Sequence, residues 1–504
     1  MKKILGPALI TFLTILVLWS CKKSFLDATS QDGSINDASA FKSKKDFDAA
    51  VIGIYASLQG GNAAGDAWLI VPGFISQDIV DVSQTPKPIG SYITSGNGDF
   101  LNFWTELYKI VASANLVLDK LAAAPADILT AAEKNSITAQ AKFLRGFAYF
   151  SIARAFGDVP MPLGYYNIAQ NSIACTPEAE VWNQVIKDLS EAAASLPEAG
   201  DWPVADVGRA TKGGALAYLA NAHMYKKDWS NAAKATLDLL ALNKPKYALA
   251  PIVRTAFSIL NKNKTDYNKE NIFEVQYREK AGDNFQWGST PNTGHLVAGN
   301  VGPRNIGQKW ASWGGWGEKL VNIKAVNAFE TGDDRRKHLI IKYGEKYKGE
   351  LMTDTLYAAD WANCLQTNSG FAGKYWLGND GGNLSPQNLP QMRFSEVLLN
   401  YSEILFNQNN PAAAYTQLNA VRLRAKLSPK VVSADAAVFM ADLMRERRFE
   451  LLFEPNLWFH YTRTKTAAKF LLDNYNITME PKWSHFPTPQ RERDLNPNLC
   501  SNGY

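Results

Sequence analysis

"GGALAYLANAHMYKKDWSNAAKATLDLLAL", residues 213–242, reads as two helices folded back on one another. Ala217 and Ala220 keep one face of the first helix small, and Tyr225 closes it. Lys226-Lys227-Asp228 is a short polar turn. The second helix begins near Trp229 and carries Ala232, Ala233 and Leu237 at helical spacing. Small residues let paired helices approach closely, while the aromatics fill the space between neighbouring pairs. Neither helix buries its apolar face alone, so the pair needs neighbours.

The unit resembles a tetratricopeptide repeat. A second candidate runs from Ser395 through "EVLLNYSEILFNQNNPAAAYTQLNAVRLRAKL", with Asn410-Pro411 as the break before its second helix. Two such units predict a mainly α-helical solenoid of helix pairs, with more degenerate pairs upstream. Leu107, Ile110, Val111, Ala114, Leu118 and Leu121 recur at three- and four-residue steps. Phe143, Phe147 and Phe150 do the same ahead of Gly157-Asp158-Val159-Pro160. Val181, Val185, Leu189 and Leu196 mark another helix stopped near Pro197. All are assigned to core.

From about Tyr277 to Gln391 the character changes. Gly, Asn, Trp and Pro become frequent, as in "GDNFQWGSTPNTGHLVAGNVGPRN" and "KYWLGNDGGNLSPQNLP". Long irregular segments of this kind are functional loops or disorder, and their aromatics argue for ordered loops. The expected organisation is a signal peptide over 1–20, a tether over 21–39, a helical part over 40–276, a loop-rich ligand region over 277–391 and a helical part over 392–504 packing on the same domain.

The address is read from the N-terminus. Lys2 and Lys3 precede an apolar run from Ile4 to Trp19, too short at ~1.5 Å per residue to cross a hydrocarbon core of about 30 Å. It is expected to be a secretory signal. Leu18-Trp19-Ser20-Cys21 is similar to a bacterial lipobox, which makes Cys21 the lipidated residue, although Trp19 is bulkier than the motif's usual residue. Cys175, Cys364 and Cys500 are then three thiols far apart, with no disulfide framework or zinc spacing visible. A formal charge of +5 over 504 residues, with no Lys/Arg block, excludes a nucleic-acid footprint.

Catalytic patterns are missing as well. The five histidines carry no metal-ligand spacing, and no P-loop, dinucleotide fingerprint or nucleophile elbow is present. No cofactor and no metal are expected. Asp78 and Asp81, like Asp333 and Asp334, imitate an acid/base pair without a motif that fixes their geometry. Glu446, Glu450 and Glu454 step by four along one helix among Arg445, Arg447 and Arg448, the pattern of an ion-paired structural helix. Nothing here reads as an enzyme.

Ordered along nearly the whole chain are "FWTELYKIVASANLVLDKL", "AKFLRGFAYFSIARAFGDVPMPL", "GRATKGGALAYLANAHMY", "LPQMRFSEVLLNYSEILFN", "LNAVRLRAKL", "MRERRFELLFEPNLWFHYTR" and "HFPTPQRERDLNPNLCSNGY". Together with the lipobox this series resembles the SusD/RagB family of surface lipoproteins. Pro455-Asn456 and His460 depart from that family's pattern, where a glycine and an aspartate are usual. The resemblance implies a SusD-like fold on the outer face of the outer membrane, acting as the lid of a SusC-like TonB-dependent transporter. The cargo would be oligosaccharides, or peptides as in some members.

The family's ligand residues lie in variable loops, so none transfers by motif. The candidates come instead from chemistry: sugar rings pack flat on aromatic faces, and their hydroxyls reach Asp and Asn. "QKWASWGGWGEK", residues 308–319, spaces Trp310, Trp313 and Trp316 among glycines that disfavour a continuous helix. These three are the leading candidates. Trp287 is a further one, with Trp68 and Trp376 weaker. Tyr92 and Asn97, with Asp78 and Asp81 nearby in sequence, are expected to form a second wall.

Overall fold

The computed structural model describes residues 41–504, except 61–65, 82–88, 166–171, 245, 258–268, 278–293, 303–318, 343–344, 348–349, 352–369 and 376–384. The signal, Cys21, the tether and Cys364 lie outside the described residues, as do Trp287, Trp310, Trp313, Trp316 and Trp376.

The chain is mainly helical. The principal helices are α1 (Lys44–Leu58), α2 (Asp66–Ile75), α3 (Gly98–Ala123), α4 (Ala131–Phe156), α5 (Glu178–Ser195), α6 (Lys212–Tyr225), α7 (Trp229–Leu240), α8 (Phe394–Asn407), α9 (Pro411–Arg424), α10 (Ala436–Glu450), α11 (Asn456–Arg463) and α12 (Ala467–Tyr475). Their ends follow local chemistry. Thr130 and Glu133 form a capping box at the start of α4, and Gly157 ends it with a backbone φ of 72° that other residues resist. Asp228 caps α7, and Asn410 caps α9 with Pro411 in its first turn.

The helices pack in chain order, α3 on α4, α4 on α5, α5 on α6 and α6 on α7. Helix α7 then meets α8, which pairs with α9, and α10 packs on both. The helical stack is therefore continuous in space although residues 241–393 interrupt it in sequence. Gly146 permits the α4–α5 approach, since a side chain there would meet Leu189 and Asp188. Tyr225 stacks on Trp182 at 4.2 Å, and Phe143, Phe147 and Phe150 meet Tyr218 edge-on. Met224, Ala232, Ala233 and Ile404, with Trp229 and Tyr401, seal the junction where the two ends of the interruption rejoin.

The Glu446–Glu450–Glu454 row is a buried ion network. Arg335 bridges Asp333 (2.8 Å) and Glu446 (2.6 Å), while Arg393 reaches Glu270 (2.5 Å), Glu450 (2.9 Å) and Glu454 (2.6 Å). Lys374, wholly buried, donates to Glu454 and to the Glu450 and Leu452 carbonyls, and burial pulls its ammonium down to about 8. This network ties the interrupting segment to α10.

Strands β1 (Ile79–Asp81), β5 (Lys319–Val321), β6 (Ile340–Ile341) and β7 (Gly370–Ala372) form a small antiparallel sheet in the order β1-β5-β7-β6. Between β1 and β5 in sequence lie β2 (Val159–Pro160), which pairs with β3 (Cys175–Thr176), and β4 (Asn271–Val275), which pairs with β8 (Leu389–Arg393). The expectation of unpaired cysteines is corrected here. Cys175 and Cys500 form a disulfide across 325 residues, because the C-terminal tail returns to the β2–β3 hairpin. Asn496 and Asn498 donate to the carbonyls of Ile173 and Ser172 beside it.

Candidate ligand-binding site

Asp81 ends β1 and faces Lys319 at the start of β5, with Nζ 2.5 Å from Oδ2. Segment 82–88 therefore leaves, and segment 303–318 enters, at one end of the sheet. Segment 352–369 enters β7 from the opposite end, where Gly370 pairs with Val321. The short helix Val297–Val301, between the Trp287 segment and the Trp310–Trp316 segment, packs against α2 and β5. Lys319, which follows the Trp310–Trp316 segment, thus stands beside Asp81.

An aromatic ledge runs on from this point. Lys319 Nζ lies 5.5 Å from the centroid of the Phe74 ring on α2, and Phe74 meets Tyr92 edge-on at 5.8 Å. Tyr92 is half-buried, meets Phe100 at 6.0 Å and donates its hydroxyl to Asp99 at 2.7 Å. Burial, then Asp99 and Asp81, push its phenol well up, so it remains a neutral donor. Asn97 donates to the Tyr92 carbonyl at 2.9 Å, and its side-chain oxygen accepts from the Asp99 N–H to cap α3. Asp81, Tyr92 and Asn97 are therefore brought together with the exit of the tryptophan segment.

Asp78 is placed elsewhere. It is 1% exposed, and its Oδ1 accepts from Arg448 at 2.7 Å and Tyr475 at 2.6 Å. Burial alone would lower the Arg448 guanidinium, but Asp78 holds it above its ordinary value. Asp78 fastens the sheet to α10 and α12. Asp78 lies just before β1 and Asp81 ends it, so the two carboxylates stand at opposite ends of the strand. Sequence reasoning missed Phe74 and Lys319, although Lys319 follows Trp316 by three positions.

Asp333 and Asp334 are likewise held by cations, Asp333 by Arg335 and Asp334 by Lys337 and Lys426. Among the described residues no group of three or more His, Cys, Asp or Glu side chains is placed to hold a metal ion.

The same chain order recurs in known proteins. A profile of the SusD family matches residues 365–504, and one described as "Starch-binding associating with outer membrane" matches residues 25–224. SusD-like protein P2 of Formosa agariphila is 26% identical over 510 residues, covering 93% of this chain and 94% of its own. A SusD-like carbohydrate-binding protein from Bacteroides fragilis superposes with a TM-score of 0.74 at 22% identity, covering 91% of this chain and 99% of that one. Surface glycan-binding protein A from Bacteroides thetaiotaomicron, solved with laminarihexaose, gives 0.73 at 21%, covering 91% and 99%. With its N-terminal and C-terminal parts each matched in order and a SusD-like relative aligned over 93% of its length, the chain belongs to the SusD/RagB family.

Proposed function

We propose that this chain is a lipoprotein, anchored in the outer membrane through Cys21 and facing outward, that captures oligosaccharides. It delivers them to a SusC-like TonB-dependent transporter, for which it acts as the lid. The observation that carries the reading is the convergence at one end of the sheet: Asp81, Tyr92 and Asn97 stand where the segment bearing Trp310, Trp313 and Trp316 is anchored. Trp287 precedes that segment in the chain, and Asp78, bound to Arg448 and Tyr475, is not part of the wall. Support also comes from the relatives, one named for laminarin binding and another solved with laminarihexaose. The outer-membrane description of the N-terminal match agrees with the lipobox.

Binding rather than catalysis suits the carboxylates, which are committed to Lys319, Arg448 and Arg335. A tryptophan covering ~100 Å² of apolar sugar face contributes about 2.5 kcal/mol before ordering costs. Two or three platforms then give about −4 to −7 kcal/mol, or millimolar to ten-micromolar affinity. Such capture is weak enough for release.

The test is calorimetry of the mature chain against a glycan panel that includes laminarin oligosaccharides, beside the Trp310→Ala/Trp313→Ala/Trp316→Ala variant. The expected result is a glycan that binds the mature chain and loses measurable binding in the variant, since the three rings supply most of the about −4 to −7 kcal/mol. An unchanged affinity overturns the site. Binding of peptides with no glycan bound overturns the cargo.

A further inference from the structure

The turn that carries Tyr92 and Asn97 depends on its neighbours. Its helix, Ile89–Tyr92, is four residues long, and so short a helix is marginal without tertiary support. Phe74 on α2 and Phe100 on α3 hold one side of it through the Tyr92 ring. Residues 480–490 supply a second support. The Gln490 N–H donates to the Ser95 carbonyl at 2.9 Å, between Tyr92 and Asn97 in sequence. A Cβ at Gly90 would lie 3.2 Å from the Trp483 ring, so backbone and indole approach closely. Phe100 is itself backed by Phe486 at 4.9 Å.

Residues 480–490 have little regular structure of their own, chiefly a single turn at Pro481–Ser484. Phe486 is tied to the end of α4 by its N–H on the Ala155 carbonyl, at 2.6 Å. Further support comes from the tail. The Tyr504 hydroxyl shares its proton between the Lys482 and His485 carbonyls, at 2.9 and 3.1 Å. Asn502 donates to the carbonyls of Phe156 and Phe486. Tyr504 reaches back because Asn502 and Gly503 take positive φ values of 54° and 81°, which these two residue types tolerate. Just before this turn, the Cys175–Cys500 disulfide fixes the tail to the β2–β3 hairpin. The hairpin is a firm post: Tyr108 on α3 and Tyr149 on α4 donate to its Pro160 and Pro162 carbonyls.

We infer that residues 480–504 are a positioning element of the ligand wall. The disulfide-locked tail braces Trp483, Phe486 and Gln490, and these hold the turn that carries Tyr92 and Asn97. This deepens the ligand wall proposed above, on which it rests, by a long-range dependence. Cys500, remote in sequence from Tyr92, governs how rigidly that wall is presented.

The experiment is hydrogen–deuterium exchange of the mature chain in its unlipidated Cys21→Ser form, read in peptides spanning 89–97 and 480–490. Cys175→Ser/Cys500→Ser and Tyr504→Phe are measured beside it. Tyr504→Phe removes one hydroxyl and keeps the disulfide, so the test stands even where the cysteine variant fails to fold. Labelling times are kept short enough that α7 and α9 stay protected in every form, so local opening is what is read. The Ile93 and Asn97 amides, bonded to the Ile89 and Thr94 carbonyls, report on the turn. Exchange in 89–97 is expected to quicken at least about tenfold in the cysteine variant and about threefold in Tyr504→Phe, the loss of a few hydrogen bonds and of one. Unchanged exchange there in Tyr504→Phe, or in the folded cysteine variant, overturns the inference. For a glycan found by the calorimetry above, affinity is expected to fall about threefold or more in the cysteine variant, because less of the chain presents the wall. Quickened exchange with unchanged affinity overturns the positioning role. If no glycan binds the unaltered chain, the proposed cargo fails and the exchange result still decides the brace.

Discussion

Replacing Arg393 by methionine tests whether the buried ion network holds the interrupting segment to the helical stack. Arg393 ends β8, is fully buried, and grips Glu454 with two donors at 2.8 and 2.6 Å. It also donates to Glu270 and to the Glu450 carbonyl. Methionine keeps much of the volume, so the loss is chiefly electrostatic. Arg424, Lys374 and Arg335 would remain as cationic neighbours of the three buried carboxylates, with the Ala250 N–H on Glu270. Breaking a buried network by removing one partner costs about 3–5 kcal/mol. Burial alone would raise Glu450 and Glu454, but Arg424 and Arg393 hold Glu450 well below the ordinary range, and Arg393 and Lys374 hold Glu454 down. Depressed carboxylates contribute stability that is full above about pH 4.5 and lost as pH falls through their native values. The variant's deficit is therefore expected to be full at pH 7 and to shrink below about 4.5. Urea unfolding at both pH values, with slopes compared, measures it. Adding Glu454→Leu should recover part of the loss, since a paired replacement leaves fewer orphaned charges. A deficit under about 1 kcal/mol, or one that grows on acidification, would refute the reasoning.

Cys500→Ser is expected to cost about 2–5 kcal/mol, because the disulfide closes a very long loop; thermal unfolding with and without a thiol reductant checks this, and equal stability would assign the tail to its asparagine hydrogen bonds. His460 is buried against Arg447, which can only donate to Nδ1, so Nε2 carries the proton toward Glu396 at 3.0 Å. Burial, then Arg447, Arg463 and Arg154, hold the imidazole well below its ordinary value, so the unfolded chain takes up a proton below about pH 6.5 that the native chain refuses, and stability falls. Burial pushes Glu396 up to about 7, so its contribution runs the other way, with stability falling as pH rises from about 4.5 toward 7. His460→Gln should remove about 1.4 kcal/mol per pH unit of acid slope between pH 6.5 and 5, read from urea midpoints across that range; an unchanged slope assigns it to His223 and His338, whose imidazoles burial also lowers.

Helices were legible in this sequence because their signals are local. The Ala217, Ala220 and Tyr225 spacing, the Asn410-Pro411 break and the Gly157 stop each act within a turn or two, and each marks a helix or helix end where the residues pointed. The small sheet was not legible, since strands of two or three residues carry no period, and β1 meets β5 across more than two hundred positions. The cysteines failed for the same reason, as spacing says nothing about a tail that returns over the whole chain. Asp78 is the instructive case. Its residue type and its neighbour Asp81 suggested a ligand wall, but its fate was set by Arg448, 370 positions away.

The departure at His460 follows the same logic. An aspartate there would face Arg447 as a further counter-ion, whereas a neutral histidine accepts from that arginine, which keeps Glu403 as its carboxylate partner, and donates to Glu396. Glu396 in turn accepts from Asn456, whose side-chain oxygen accepts from Arg154. Pro455-Asn456 and His460, two departures read separately in the sequence, are therefore parts of one hydrogen-bonded chain that joins α4, α8, α10 and α11. A change at either would be felt by the other, and a double-mutant cycle between Asn456 and His460 should show a coupling of about 0.5–3 kcal/mol.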